Sequence, residues 1–114
     1  MVGLSSKTDR PSYKIASYLK KQGYTVIPVN PIEKEILGET CYPDLVSIPI
    51  PVDIVDIFRR SSEASAIVDE AVKIGAKAVW MQERVICEKA STRARGAGLM
   101  VVMDKCIYKE HQKL

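Results

Sequence analysis

The chain has 114 residues, with 17 Lys+Arg against 14 Asp+Glu, 46% hydrophobic and 27% charged residues. That length admits one domain, taken as residues 1–114, and the balance is that of a globular protein rather than a disordered or fibrous one. A net charge of +3, bases dispersed in small groups and only one Phe, one Trp and five Tyr argue against a nucleic-acid surface.

Pro11 can open a helix, since its missing N–H would be unpaired there anyway. Ile15, Tyr18 and Leu19 then recur at helical spacing over Ser12–Gln22, and Gly23 is a natural stop. Tyr24–Val29 (YTVIPV) reads as a strand closed by Asn30-Pro31, although Pro28 speaks against a central place for its end. Four prolines (Pro31, Pro43, Pro49, Pro51) and Gly38 within residues 31–51 predict an ordered loop with one helical turn around Asp44–Ser47. Val52–Phe58 (VDIVDIF) is a strand. Ser61 or Ser62 caps a helix with Ala64, Ile67, Val68, Ala71, Val72 and Ile74 on its apolar side, ended by Gly75. Ala76–Met81 is an almost continuously apolar strand, as expected when helices cover both faces. An Ala-rich helix over Cys87–Arg95, broken by Gly96 and Gly98, leads to the strand Leu99–Met103, and Ile107–Leu114 reads as a short terminal helix.

Strands alternating with helices predict the α/β class with a doubly wound parallel sheet. Ligands in such sheets bind outside the carboxyl ends of the strands, which selects residues 3–12, Val29-Asn30-Pro31, Phe58-Arg59-Arg60 and Met81-Gln82-Glu83. Gly3 permits close approach, Ser5, Ser6 and Lys7 offer donors, and a helix start follows: either a phosphate cradle or a polar loop leading into a Pro-initiated helix. The segment matches neither G-x-x-x-x-G-K-[ST] nor G-x-G-x-x-G, and Asn30 stands where a nicotinamide enzyme normally has an acid. Arg59 and Arg60 suit a phosphate or pyrophosphate, the bland reading being a solvated basic pair. Met81 and Gln82 read as a slot lining or as core packing.

Acid–base and metal chemistry find little support. His111 is the only histidine and reads as a surface or helix-end residue, and Asp53 and Asp56, three apart on a strand, face opposite ways. Three widely spaced cysteines fit neither a disulfide framework nor a structural zinc site; no metal is expected. Cys41, near the ligand edge, is the one expected to be accessible, and Cys106 stands beside Lys105. No apolar run approaches the roughly 20 residues that span a bilayer, and no leader pattern is present, so the expected location is cytoplasmic.

VGLSSKTDRPSY, GYTVIPVNP, ILGETCYPDL, IPIPVDIVDIFRRS, IGAKAVWMQ and GLMVVMDKCIYKEH, in that order, resemble the small stand-alone CoA-binding proteins, the succinyl-CoA-synthetase-α-like family. No single motif would suffice; the ordered set covers essentially the whole chain. The resemblance implies a Rossmann-like three-layer α/β/α fold binding coenzyme A across the switch-point crevice. Carried over, Gly3, Ser5, Ser6, Lys7 and Arg10, with Ser12 at the helix start, would form the phosphate loop. Asn30 and Pro31 would lie along the nucleotide, Phe58, Arg59 and Arg60 would flank the adenine and phosphate end, and Met81 and Gln82 would border the crevice.

The resemblance implies a non-catalytic carrier, sensor or regulatory module for CoA or an acyl-CoA, alone, as a homodimer or beside a partner subunit, with no catalytic residue of its own. The alternative is an enzyme, a dinucleotide-dependent oxidoreductase or a CoA-ligase subunit. A mixed disulfide of CoA with Cys41 or Cys106 is a third reading. The sequence departs from the family pattern in two places. Of the usual first strand only Met1-Val2 is present, so the expectation is a truncated N-terminal strand that leaves strand edges unpaired unless a replacement is recruited. After Gln82 the turn is Glu83-Arg84-Val85-Ile86-Cys87, which either narrows the crevice or adds a phosphate contact through Arg84.

Overall fold

A computed structural model describes residues 1–114. In chain order the elements are α1 (Pro11–Lys21), β1 (Glu35–Ile36), β2 (Glu39–Thr40), β3 (Ile54–Ile57), α2 (Ser61–Lys73), β4 (Ala78–Met81), α3 (Glu88–Gly96), β5 (Met100–Val102) and α4 (Ile107–Gln112). The sheet β3-β4-β5 is parallel throughout, with Val55 opposite Val79 and Val79 opposite Val101. Val2 adds to it on the far side of β3, bridging Ile57 and Val29 in parallel, and Val29 in turn bridges Tyr42. The lateral order is therefore Tyr42, Val29, Val2, β3, β4, β5.

Alternation along β3 and β4 divides the core between the two faces of this sheet. Val55, Ile57, Val79 and Met81 join α2 and α3 (Ala64, Ile67, Val68, Ala90, Ala94) in a cluster of 16 buried residues. The opposite face carries α1 and α4, with Leu4, Ala16, Leu19 and Val26 in a cluster of six. This is the mixed α/β, Rossmann-like arrangement that the alternation of elements predicts. None of the helices is long and apolar enough to cross a membrane.

The expected helices and the three strands of the parallel sheet are present with ends shifted by up to two residues; α1 takes in Pro11, and α3 runs on through Gly96 rather than being broken by it. Two expectations are corrected. Tyr24–Val29 is not a strand: only Val29 pairs, because the segment beside it offers just residues 1–3 as a partner and Pro28 has no N–H to give. Asp44–Ser47 is a turn rather than a helical one, held by Asp44 Oδ1 accepting from Ser47 N at 2.9 Å and from Ser47 Oγ at 2.6 Å. Inside the Pro-rich loop lies an unexpected hairpin, β1-β2. Leu37 (φ 56°) and Gly38 (φ 73°) both take the left-handed conformation that its two-residue turn requires.

Candidate functional site

The carboxyl ends of the central segments converge on Gly3. Its φ is 87°, and a Cβ there would lie 2.5 Å from the Phe58 carbonyl oxygen and 2.7 Å from Arg59 Cδ. Glycine thus lets the loop after β3 close over the start of the chain. From Gly3 the chain folds back on the head of α1: Ser5 N donates to Ser12 Oγ at 3.1 Å, Lys7 N to Ser5 Oγ at 3.1 Å, and Arg10 N to Lys7 O at 3.1 Å. Ser12 is buried by this contact, whereas Ser6, Lys7 and Arg10 are exposed. The first turn of α1 has no side-chain cap and no acidic residue, so its positive end is uncompensated.

Asn30 ties the next segment to this loop. Its Nδ2 donates to Leu4 O at 3.1 Å, while Oδ1 accepts from Ile32 N at 2.9 Å and Glu33 N at 3.3 Å. Pro31 stands exposed beside it, and Glu33 accepts a hydrogen bond from Ser6 Oγ at 3.0 Å. On the other side, Phe58 is half-buried and Arg59 lies across Gly3, engaged with Glu63 through Nε at 3.2 Å and a second guanidinium nitrogen at 2.6 Å. That pairing raises the Arg59 pKa and lowers that of Glu63, in each case chiefly through their hydrogen bond. Arg60 is exposed, free of ion pairs and placed at the start of α2. The result is a rim of hydroxyls, the Asn30 amide and the Arg59 guanidinium near Gly3, with the Glu33 and Glu63 carboxylates paired into it and Arg60 next along the loop.

Met81 and Gln82 stand differently. The Met81 side chain is wholly inside the larger cluster. Gln82 is buried, its Oε1 accepting from Ile107 N at 3.0 Å and its Nε2 donating to Asp56 Oδ2 at 3.4 Å. Both side chains are thus committed to packing, and the structure does not bring them onto the rim. In the turn after Gln82, Arg84 is exposed with φ 69°, and its N–H donates to Asp104 Oδ1 at 2.6 Å. Ser61 locks this turn to α2, accepting from Ile86 N at 2.9 Å and donating to Arg84 O at 3.2 Å.

Cys41 corrects an expectation: it is buried rather than accessible, and its thiol points to the Asn30 carbonyl at 3.6 Å. Burial pushes its pKa up, which holds the thiol protonated and weakens any nucleophilic role. His111 is a helix-end packing residue, its Nδ1 2.7 Å from the Tyr18 hydroxyl and its ring edge-on to Tyr24. Asp53 lies exposed beside Lys77 at 3.4 Å, whereas Asp56 is buried with Oδ1 unpartnered. Burial pushes the Asp56 pKa up to about 7, against the pull of the Met1 amine and the Gln82 amide. Sequence reading separated the two aspartates by face and missed the consequence, since nothing local marks which face is covered.

Comparison with known proteins finds relatives that match nearly the whole chain. The family model described as CoA binding domain matches residues 1–112. The uncharacterized protein YneT of Bacillus subtilis (strain 168) is 36% identical over 111 residues, 97% of this chain and 82% of that protein. Acetate–CoA ligase [ADP-forming] II of Archaeoglobus fulgidus is 30% identical over 79 residues, 68% of this chain but only 12% of the ligase. Among solved structures, a hypothetical protein from Pyrococcus horikoshii OT3 superposes with a TM-score of 0.96 at 40% identity, over 99% of this chain and 80% of that one. The dinucleotide-forming acetyl-coenzyme A synthetase 1 of Ca. Korarchaeum cryptofilum superposes at 0.79 with 25% identity, over 90% of this chain and 25% of that one. With a match across nearly its whole length, the chain belongs to the CoA binding domain family.

Proposed function

We propose that the chain binds coenzyme A or an acyl-CoA at the rim around Gly3 and serves as a carrier, sensor or regulatory module without chemistry of its own. The observation that carries this reading is the convergence at Gly3: an uncapped helix start, Ser and Lys donors, and two arginines on the facing loop, in a chain of this family. Coenzyme A brings a pyrophosphate and a 3′-phosphate, and guanidinium forks match phosphate oxygens. In this reading Gly3, Ser5, Ser6, Lys7 and Arg10 cradle the pyrophosphate, Asn30 and Pro31 border the nucleotide, and Arg59 and Arg60 take the remaining phosphate. A helix start with no acidic residue in its first turn favours an anion at that place. The ligase match, over 12% of that enzyme's length, supports a shared CoA-binding part.

Calorimetric titration with CoA and dephospho-CoA tests the reading. CoA is expected to bind more tightly. Arg60→Ala should weaken CoA about tenfold, the loss of roughly 1.4 kcal/mol expected for one charge-assisted contact. Arg59→Ala should cost less, because Glu63 already competes for that guanidinium. Equal affinity for the two ligands would remove the 3′-phosphate from the site, and no binding of either would sink the proposal.

A further inference from the structure

Arg84 is an exposed cation beside the rim that the coenzyme A reading leaves unused. Val85 N donates to Gln82 O at 2.9 Å, closing a tight turn after β4. Arg84 is the third residue of that turn and takes φ 69°, a left-handed conformation that glycine or asparagine adopts at less cost. Val85 anchors the turn in the larger cluster, which leaves Arg84 on the outside. The backbone is fastened on both sides. The Arg84 N–H donates to Asp104 Oδ1 at 2.6 Å, and its carbonyl accepts from Ser61 Oγ at 3.2 Å, while the same hydroxyl accepts from Ile86 N at 2.9 Å.

The Ser61 tie brings a second guanidinium to the same part of the edge. Arg60 precedes Ser61 in the chain, so the Arg60 and Arg84 backbones stand one residue apart across that hydrogen bond. Both side chains are exposed and neither forms an ion pair. Three neighbouring acids are already engaged: Glu63 holds Arg59 at 2.6 Å, Glu83 holds Lys109 at 3.0 Å, and Asp104 Oδ1 takes the Arg84 N–H. Two like charges on loops fastened together repel, and a shared anion relieves that repulsion. β3 and β4 lie one and two strand spacings of ~4.8 Å from Val2, so this pair stands beside the Gly3 cradle rather than on it.

We propose that Arg60 and Arg84 form a second oxyanion subsite of the coenzyme A site, separate from the pyrophosphate cradle, with Arg84 as its specificity-determining residue. The subsite rests on the coenzyme A reading of the Gly3 rim and extends it. Two groups of such a ligand carry the required chemistry, the 3′-phosphate and a carboxylate on an acyl group, and guanidinium forks match the oxygens of either. A left-handed arginine held at four points keeps its backbone fixed while its side chain stays free to meet the ligand. Ligands that differ by one oxyanion are thereby told apart by a charge that the cradle around Gly3 does not sense.

Calorimetric titration compares CoA with dephospho-CoA, and malonyl-CoA with acetyl-CoA, on the parent, Arg84→Asn and Arg84→Lys. Asparagine tolerates the left-handed backbone and removes the charge, whereas lysine keeps the charge without the fork. The parent should favour the more charged member of one pair by about tenfold, and that pair identifies the oxyanion. Arg84→Asn should weaken that member about tenfold and its counterpart less than about twofold, and Arg84→Lys should recover only about a third of the loss. Arg60→Ala should lower the same ratio as Arg84→Asn; an effect on the other ratio would mean two separate anions and overturn the shared subsite. With the parent binding CoA, an equal loss across all four ligands, or no change in either ratio, overturns the subsite and leaves the coenzyme A reading standing. Full recovery by lysine overturns the fork contact. A parent that binds none of the four overturns the coenzyme A reading and the subsite with it.

Discussion

Gly3 concentrates two constraints in one residue, a left-handed backbone and a backbone oxygen 2.5 Å from where a Cβ would lie. That oxygen is backbone and cannot swing aside as the end of a flexible side chain could, so Gly3→Ala should destabilise the protein by about 2–4 kcal/mol in chemical denaturation. Under the proposed reading it should also weaken CoA more than Arg60→Ala does. Asp56 makes a prediction of opposite sign. Its folded-state pKa of about 7 lies above its ordinary 3.8, so the folded protein holds the proton more strongly and loses stability as pH rises from about 4 to 7. The penalty, on the order of 4 kcal/mol at most, is then constant at higher pH. Asp56→Asn should therefore be more stable than the parent at pH 8 and show a flatter stability profile between pH 4 and 7. Urea titrations across that range check it; a variant less stable at pH 8 would mean that the Met1 amine outweighs burial.

At the scale of elements, the helices are secured by their packed faces rather than by caps, for none of the four has a side-chain cap at its start. Ser61 is the exception in effect, since its hydroxyl ties the head of α2 to the turn after β4 through Ile86 and Arg84. Ser61→Ala should cost about 1 kcal/mol and loosen that turn, visible as faster amide exchange at Ile86. A rise confined to the α2 terminus would show that the hydroxyl holds the helix and not the turn. The helices were legible because each carries its periodicity within one short stretch, and Pro11, Gly23 and Gly75 punctuate them. The hairpin β1-β2 was not, since Leu37-Gly38 lacks the Asn-Gly or Asp-Gly pair that marks such turns.

Across the whole molecule, the larger cluster and the proposed ligand rim share the same strands, so side chains one residue apart have different fates. Met81 illustrates the division. Met81→Ala should cost roughly 2–5 kcal/mol by opening a cavity in the larger cluster. Its effect on CoA affinity of the remaining folded protein should be small, because the side chain does not reach the rim. A tenfold affinity loss at unchanged stability would return Met81 to the crevice. Arg59 and Arg60 show the same division at the surface: adjacent in sequence, they differ in that Glu63 holds one and leaves the other free.

The sequence by itself determined the alternation of strands and helices and the parallel sheet, and it placed residues 3–12, Asn30 and Phe58–Arg60 at neighbouring strand ends. These depend on short-range periodicity, on Gly and Pro, and on the rule that ligand edges follow strand ends. Only the tertiary structure decided which face of β3 is sealed and so that Asp56 is buried, that Cys41 is covered, and that Gln82 bonds inward to Asp56 and Ile107. It alone left Tyr24–Ile27 unpaired despite a strand-like sequence. Burial and strand pairing are properties of a neighbour. A segment's own residues set what it can form, but hydrogen bonds and exclusion of water need a second surface in place.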